Sequence, residues 1–298
     1  MAKSEFDSLF LSSASNKPKS ESLFDMVNVE LIDKCIRSLK LGKACGPDEL
    51  SAEHLVHAHP SLVIHICFLF RSVILHGFVP DNFGVGLIVP LVKDKTGDIN
   101  NVSNYRGITL IAVISKLFEG VLLEICNVFL QSDHLQFGFK KGLGCSDAIF
   151  SLRTAIDYFR ERDNTVYDSA VDISKAFDNV NHYKLYTSLL KAGFPGWVVG
   201  LLVNWYGKLS VAVHWQGSLS DSFIVQSGVR QGSSLSPAIF YIFINTFIVK
   251  LRETNSGCCI NGDFVGCIMY ADVLILISAS VNGLQTLLNC CHTVSLDF

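Results

Sequence analysis

Residues Ile268 to Leu276 read IMYADVLIL, and this stretch decides how the rest of the chain is interpreted. Two apolar runs rich in β-forming side chains flank the single carboxylate of Asp272, and the space between them allows only a tight turn. The pattern predicts a β-hairpin with Asp272 at its tip. Because aspartate also favours turns for purely structural reasons, the hairpin alone leaves the role of Asp272 open.

A second carboxylate stands in a similar setting a hundred positions earlier. Asp172 lies near the end of a predicted strand over residues 165–173. Two aspartates at strand ends suit one task well, which is holding divalent metal ions where a phosphate can reach them. Asp172 and Asp272 are therefore candidate metal ligands.

The bulk composition limits the class of protein. The chain has 298 residues, of which 49% are hydrophobic and 17% charged, as is typical of a globular protein with a substantial core. The net charge of −3 means that any contact with nucleic acid must come from local basic patches. The ten cysteines lack the spacing of zinc ligands, so we expect reduced thiols in an intracellular protein. The sequence predicts neither a signal peptide nor a membrane span.

The first half of the chain is predicted to be mainly helical. Residues 1–27 are polar and lack periodicity, which predicts a linker or a disordered segment. The predicted helices cover 28–41, 60–76, 111–130 and 146–161, and the predicted strands cover 85–92 and 104–110. For the helix over 146–161, we expect Ser146 as the N-cap and a buried stripe of Ile149, Leu152, Ile156 and Phe159.

The pattern changes to mixed α and β after residue 164. The predicted order is a strand, two helices over 181–192 and 195–209, a hairpin over 210–225, a long helix, two hairpins and a final helix. Pro237 is expected in the first turn of the long helix, with Ser236 as its cap. This order predicts an α+β fold with helices on one face of an antiparallel sheet.

Three segments of the second half carry the chemically distinctive residues. They are DISKAFDNVNH over 172–182, GVRQGSSLSP over 228–237 and YADV over 270–273. In this order they resemble the palm of reverse transcriptases, most closely those of non-LTR (LINE-type) retrotransposons. The first half adds KACGPD over 43–48, NYR over 104–106 with SKLFE over 115–119, and QFGF over 136–139, so the resemblance spans about residues 30 to 290.

The resemblance implies a right-hand polymerase with fingers and palm. The palm would be a ferredoxin-like (RRM-like) antiparallel sheet with helices on one face. Fingers would occupy 28–164 and palm 165–298, with some fingers helices inserted at 181–209 and the thumb largely missing. Members of the family continue into a thumb, and an intact element would also carry an endonuclease segment.

The implied activity is RNA-directed DNA synthesis. The partners would be an RNA template, a DNA primer and a dNTP, in an intracellular location that is nuclear or cytoplasmic, away from the membrane. The reaction is a nucleotidyl transfer from the dNTP to the primer 3′-hydroxyl, assisted by two Mg²⁺ ions, with Mn²⁺ as a possible substitute. By resemblance, the metal ligands would be Asp172, Asp272 and the backbone carbonyl of Ile173.

Further residues would bind the nucleotide by the same resemblance. Phe177 would pack under the sugar and select dNTP over NTP, although an aromatic core residue explains it equally well. Gln231 and Gly232 would contact the incoming nucleotide. The triphosphate would be met by Arg106, Lys93 and Lys95, since phosphate groups need cationic partners.

The hairpin departs from the family pattern at one position. Members of the family carry two adjacent aspartates at its tip, and here the second position is Val273. A branched apolar side chain supplies neither the charge nor the ligand, in a reaction that depends on electrostatic stabilisation. The sequence therefore leaves two functions open: a polymerase, active or inactive in this copy, or a catalytically inactive module that binds nucleic acid or protein.

Overall fold

The structure is a computed structural model that describes residues 2–13, 18 and 20–296. The described chain has the predicted mixed α+β composition. Its helices are α1 Ala2–Ser13, α2 Ser20–Met26, α3 Val29–Arg37, α4 Ala52–Val56, α5 Ser61–His76, α6 Val113–Ile125, α7 Cys145–Arg160, α8 His182–Lys191, α9 Gly196–Tyr206, α10 Ser236–Glu253 and α11 Val281–Ser295. Its strands are β1 Val85–Val92, β2 Tyr105–Ile111, β3 Tyr167–Asp172, β4 Ser210–Trp215, β5 Ser218–Leu219, β6 Phe223–Ile224, β7 Cys259–Ile260, β8 Asp263–Phe264, β9 Cys267–Tyr270 and β10 Val273–Ser278.

The strands form two main sheets and a short ribbon. The larger sheet has the order β2-β1-β4-β5, with β6 also paired to β4. In it, β1 is antiparallel to β2 and parallel to β4. The smaller sheet has the order β3-β10-β9, is antiparallel throughout, and carries the Asp272 hairpin. The ribbon pairs β7 with β8.

Several elements form where the sequence predicts them. The strand β1 has the predicted bounds, and β2 is shifted by one residue from its predicted range. Gly77 ends α5 with φ of 66°, a left-handed conformation that favours glycine. Asn28 caps α3 by accepting a hydrogen bond from the Leu31 N–H at 2.8 Å. Local patterns therefore fix most of the elements around the two sheets.

The larger of two hydrophobic core clusters in the described chain connects most of the helices to the smaller sheet, and the smaller cluster lies between α7 and β10. The aromatic centre of the larger cluster contains Phe70, Phe83, Phe118 and Trp205. The ring of Phe118 lies 4.8 Å from that of Phe70 and 5.6 Å from that of Trp205, measured between centroids. Side chains of this size each stabilise the fold by about 2–3 kcal/mol through burial. The long helix α10 is apolar on most of its circumference because it runs through this core.

The N-terminal prediction is wrong in the described part of residues 1–27. Instead of a linker or disordered segment, this part forms α1 and α2, whereas residues 1, 14–17 and 19 lie outside the described residues. Phe6 is buried against Tyr183 and Tyr186 of α8. The polar composition concealed this helix because its few apolar residues pack against a segment far along the chain.

The sequence predicts residues 210–225 as a hairpin without indicating a partner elsewhere in the chain. Residues 210–224 form β4 to β6 and join β1 in the larger sheet, because β4 pairs in parallel with β1. In α7, Ile149 is exposed, whereas Ala148 and Ala155 are buried. Leu152 and Phe159 of the predicted stripe are partly buried and pack against the cluster that contains Cys258 and Ile277, so the prediction is wrong at Ile149, near the start of the helix. The N-terminus of α7 is held by the Asp147 carboxylate, which accepts from the Gly144 N–H at 2.7 Å.

The cysteines and the lengths of the helices bear on two further expectations, reduced thiols and the lack of a membrane span. All ten cysteines are free thiols, and burial raises the pKa of Cys126 and of Cys291 to about 12. Among the described helices, none combines the length and apolar character needed to cross a bilayer.

Replacing Phe118 by alanine tests the aromatic centre. Phe118→Ala should lower the free energy of unfolding by about 3–5 kcal/mol, because it leaves a cavity bordered by three rings. Urea denaturation followed by circular dichroism measures the change. Phe150→Ala is the matched control, since the Phe150 side chain is 70% exposed and should contribute little. Equal losses in the two variants would contradict the described core.

Candidate active site

The antiparallel pairing of β3 and β10 brings Asp172 to the Asp272 hairpin. Val273 lies opposite Asp172 on one side and opposite Tyr270 on the other, so Ala271 and Asp272 form a two-residue turn. The Ile173 N–H donates to the Asp272 carbonyl oxygen at 3.1 Å, which fixes the turn against the end of β3. The predicted hairpin is therefore confirmed, and the two aspartates lie at the same end of neighbouring strands.

Val273 faces Asp172 directly. The hydrogen bond from Ile173 to Asp272 flanks the pair Asp172–Val273, which makes it a non-hydrogen-bonded pair of the antiparallel ladder. Side chains of such a pair lie on one face of the sheet with Cβ atoms roughly 4.5–5.5 Å apart. The apolar side chain of Val273, 38% exposed, is therefore the immediate neighbour of the Asp172 carboxylate.

The oxygen atoms at this strand end are of the type that divalent cations bind. Asp172 is exposed and Asp272 half-buried, and among the described residues neither carboxylate takes part in a hydrogen bond or ion pair. The carbonyl oxygen of Ile173 also accepts no hydrogen bond there. Mg²⁺ is held by one or two carboxylates together with phosphate oxygens and water. No cluster of three or more acidic, histidine or cysteine side chains that could hold a metal ion occurs in the described chain.

The loop Gly228–Gly232 connects this strand end to the larger sheet. The Val229 N–H donates to the Phe177 carbonyl at 2.7 Å, and the Thr109 N–H of β2 donates to the Gln231 carbonyl at 2.6 Å. A Cβ atom at Gly232 would lie 2.5 Å from the Thr109 carbonyl oxygen, where φ is +119°. Glycine is thus required at 232 because the backbone of β2 packs against it.

The side chain of Gln231 reaches the segment that follows Asp172. Its Nε2 donates to Asp178 Oδ1 at 3.1 Å. Asp178 therefore braces the loop through this hydrogen bond. The Phe177 ring is half-buried, 4.5 Å from the Phe240 ring and 5.8 Å from the Phe139 ring, measured between centroids. Phe177 thus borders both the aromatic core and the strand end that carries Asp172.

A buried ion pair stabilises the loop Gly228–Gly232. Arg230 Nη2 donates to Glu119 Oε1 at 2.8 Å, and the two side chains are 4% and 1% exposed. Arg230 Nη1 donates to the Phe83 carbonyl at 2.9 Å, and the guanidinium lies 5.1 Å from the Trp205 ring. Arg230 therefore joins the loop to α6, α9 and the short turn before β1.

Glu119 also holds the N-terminus of α10. Its carboxylate accepts from the Ser233 hydroxyl at 2.8 Å and from the Ser234 N–H at 2.7 Å. Ser233 Oγ in turn accepts from the Ser236 N–H at 3.1 Å. Ser236 is therefore not the cap that the sequence predicted; Ser233 and Glu119 together take that role. The available sequence signal was Glu119, a carboxylate in the middle of the apolar helix α6.

His182 ties the start of α8 to the loop. A contact of 2.8 Å joins its Nε2 to the Gly228 carbonyl oxygen. Burial lowers the pKa of His182 below its usual value, and the hydrogen bond to Gly228 partly opposes that shift. The imidazole is therefore neutral near pH 7, with Nε2–H as donor.

The predicted phosphate-binding cations lie on the β1–β2 hairpin. Arg106 is exposed on β2, three residues before Thr109, and thus about 10 Å along the strand from the Gln231 loop. Lys93 and Lys95 lie beyond the end of β1, and Lys93 Nζ donates to the Ser103 carbonyl at 3.2 Å within the same hairpin. The structure thus brings Asp172, Ile173, Phe177, Gln231, Gly232 and Asp272 together. It places Arg106 at the edge of that group and the two lysines farther away.

Comparison with known proteins gives consistent matches. Residues 92–296 match the family described as reverse transcriptase (RNA-dependent DNA polymerase). The chain is 24% identical over 251 residues to the retrovirus-related Pol polyprotein from type-2 retrotransposable element R2DM of Drosophila melanogaster, covering 84% of this chain and 23% of that protein. It is 27% identical over 224 residues to the probable RNA-directed DNA polymerase from transposon BS of the same organism, covering 73% of this chain and 24% of that protein.

A solved structure supports the fold. The apo telomerase from Candida tropicalis, truncated from its C-terminal domain, aligns with a TM-score of 0.50 and 14% identity, covering 78% of this chain and 51% of that one. At this identity the likeness concerns the fold alone. The chain spans about a quarter of the length of the two curated relatives.

Arg230→Met tests the buried support of the loop. The substitution leaves the Glu119 carboxylate buried without its cation, so the free energy of unfolding should fall by about 3–5 kcal/mol. Urea denaturation measures it. The control is Arg37→Met, which removes the exposed pair with Asp33 and should change stability little. Comparable effects of the two substitutions would contradict the proposed contribution of the Glu119–Arg230 pair.

Proposed function

The chain belongs to the reverse transcriptase (RNA-dependent DNA polymerase) family, as a domain of the non-LTR retrotransposon type, and we propose that its site binds a dNTP for nucleotidyl transfer to a primer 3′-hydroxyl. The observation that carries this proposal is the convergence of Asp172 and Asp272 at one strand end. The polymerase substrates would be an RNA template, a DNA primer and a dNTP.

Asp172, Asp272 and the Ile173 carbonyl are the residues that would hold Mg²⁺, with Mn²⁺ as a substitute. When bound, the metal would lower the pKa of the attacking hydroxyl and neutralise charge on the phosphates. The free acceptor oxygens of these three residues support this assignment. With two carboxylates, the chain offers fewer anionic ligands than members of the family, which carry a second aspartate at the position of Val273.

The protein's own side chains would bind and orient the nucleotide. Phe177 stands five residues after Asp172, and its ring, supported by Phe240, is suited to pack under the sugar and select against a 2′-hydroxyl. Gln231 would contact the nucleotide after releasing Asp178, and Gly232 keeps the loop close to β2. Positioning of this kind supplies much of the rate enhancement in a reaction without protein covalent chemistry.

The β1–β2 hairpin would supply the cations for the triphosphate. Arg106 is the residue of this group nearest the Gln231 loop, and its planar fork suits phosphate oxygens. Lys93 and Lys95 require movement of the hairpin toward the site to reach a phosphate, since Lys93 lies five residues beyond the level of Thr109, roughly 16 Å along extended strands.

The two sheets correspond to two proposed parts of the polymerase. The sheet of β1, β2 and β4 would belong to the fingers, together with the helices before residue 164. The sheet of β3, β9 and β10, packed against α10 and α11, would be the palm. Since its substrates would be RNA and dNTPs, we place the protein inside the cell, in the nucleus or cytoplasm.

Val273 favours a second candidate function. An apolar side chain directly beside Asp172 removes a charge where the reaction needs one. Under this alternative, the domain binds primer–template nucleic acid without extending it. The two candidate functions differ in one measurable respect: whether the protein, once bound to primer–template, incorporates nucleotides.

Val273→Asp should increase primer extension on an RNA template with Mg²⁺ by roughly 10²-fold, the effect typical of one electrostatic group at an active site. Gel-resolved extension of a labelled primer measures it, and fluorescence anisotropy measures binding in parallel. Val273→Asn is the matched control, because it has nearly the same shape as aspartate without the charge.

The outcomes separate the candidates. Extension by Val273→Asp that Asp272→Asn abolishes would support the polymerase. Binding that weakens with salt, without extension by any variant, would contradict polymerase activity and support the binding module. Absence of both binding and extension in folded protein would contradict both candidates.

A further inference from the structure

The segment Gln136–Phe139 lies along the outer edge of the Asp272 hairpin. The Phe137 N–H donates to the Met269 carbonyl at 2.8 Å, and the Met269 N–H donates to the Leu135 carbonyl at 2.9 Å. These bonds form a short parallel bridge between Gln136 and Met269 of β9. The segment therefore completes the smaller sheet on the side opposite β3, and none of the functional assignments above uses it.

The Gln136 side chain reaches the hairpin turn from this edge. It is fully buried, and its Oε1 accepts from the Gly138 N–H at 2.8 Å and from the Ala271 N–H at 3.3 Å. Both partners are N–H donors, so the amide orientation follows from the contacts. Among the residues that the structure describes, none is a hydrogen-bond partner of the Nε2 atom. A buried donor without a partner costs about 1–3 kcal/mol, so the position gives up stability that an apolar residue would retain.

Gly138 allows the segment to approach the turn. A Cβ atom at this position would lie 2.8 Å from the Cα of Ala271 and closer still to its nitrogen, where a side chain would displace the backbone. The stretches on either side of the segment are also joined to each other, because Lys140 Nζ donates to the Asp133 carbonyl oxygen at 2.7 Å. The backbone of the segment thus rests directly on the turn.

The turn needs such support because its conformation is unfavourable by itself. Ala271 has φ of 57°, in the left-handed region, which costs an L-residue about 1–2 kcal/mol. Residues held in this region persist where the surrounding structure determines them, and they concentrate at functional sites. At this turn, the Gln136 amide oxygen accepts a hydrogen bond from the N–H of Ala271, the strained residue itself.

We infer that Gln136 is a positioning residue for Asp272, whose acceptor oxygen, together with the close packing of Gly138, holds the Ala271–Asp272 turn beside Asp172. The consequence for metal binding rests on the proposed function, whereas the positioning of the turn does not. Asp272 would thus be oriented by a residue from the first half of the chain that touches neither metal nor substrate.

Three substitutions in the full chain test this inference. Gln136→Met removes the acceptor at similar volume, Gln136→Glu keeps an acceptor oxygen, and Gln131→Met is the matched control on an exposed glutamine. Hydrogen exchange of the Ala271 amide should accelerate at least tenfold in Gln136→Met, remain near the natural rate in Gln136→Glu, and stay unchanged in Gln131→Met. Amides of β1 and β2 should keep their rates in all three variants.

Mn²⁺ binding, measured by electron paramagnetic resonance, provides a readout that a merely structural role would not move. The dissociation constant should rise about tenfold in Gln136→Met, as is typical when a residue that orients a metal ligand is lost. Gln136→Glu should restore it. The same titration is made in the Val273→Asp background, where the additional carboxylate strengthens binding. If Gln136→Met does not fold, Gln136→Asn, which withdraws the amide by one methylene, replaces it.

The outcomes are distinguishable. Unchanged exchange at Ala271 in Gln136→Met, or an equal acceleration in Gln131→Met, would overturn the inference and leave the proposed function standing. If Gln136→Met frees the Ala271 amide but Asp272→Asn leaves Mn²⁺ binding unchanged, the positioning role stands and the proposed metal site is wrong. Faster exchange together with weaker Mn²⁺ binding, both restored by Gln136→Glu, would support the inference and the metal site alike.

Discussion

The register between β3 and β10 is the constraint on which the candidate site depends. It sets Val273 opposite Asp172 and thereby places the tip of the next hairpin beside the end of β3. A slip of one residue would turn Asp172 to the other face of the sheet. Leu274 and Leu276 oppose such a slip, because both are fully buried whereas the preceding residues of opposite orientation, Val273 and Ile275, are more exposed. The position of the two carboxylates thus follows from hydrophobic packing in the core.

Polar groups buried around this sheet fix the positions of the loop and the turn that carry the candidate site residues. Glu119 and Arg230 fix the loop that carries Gln231, and their bonds reach α6, α10 and the turn before β1. On the other edge, Gln136 contacts the turn that carries Asp272. Buried polar contacts of this kind add little net stability but specify one arrangement when they are satisfied. A site that works by orienting ligands requires that single arrangement.

Local sequence patterns predicted much of the fold and the chemically distinctive residues. The hairpin around Asp272, the strands β1 and β2 and the glycine end of α5 follow from short-range rules on turns, periodicity and left-handed glycine. Val273 was also identifiable from sequence, as a departure from a motif. The proximity of Asp172 to Asp272, by contrast, could be predicted only from their positions at strand ends and from the order of the motifs.

The predictions that failed depended on distant partners. Phe6 is buried because α8 lies beside it, and nothing in the first 27 residues indicates that partner. The parallel pairing of β4 with β1, which no local pattern indicates, joins segments that lie on either side of β3 in the sequence. Ser236 has the residue type of an N-cap, yet Glu119 from α6 reaches the amides of the preceding residues.

The most direct test of the site replaces Mg²⁺ by Fe²⁺ in the presence of a dNTP and generates hydroxyl radicals with ascorbate and peroxide. If Asp172 and Asp272 hold one metal site, two backbone cleavages are expected, one near each residue, and both should be suppressed by excess Mg²⁺. Cleavage near only one of them, or elsewhere in the chain, would contradict a shared site.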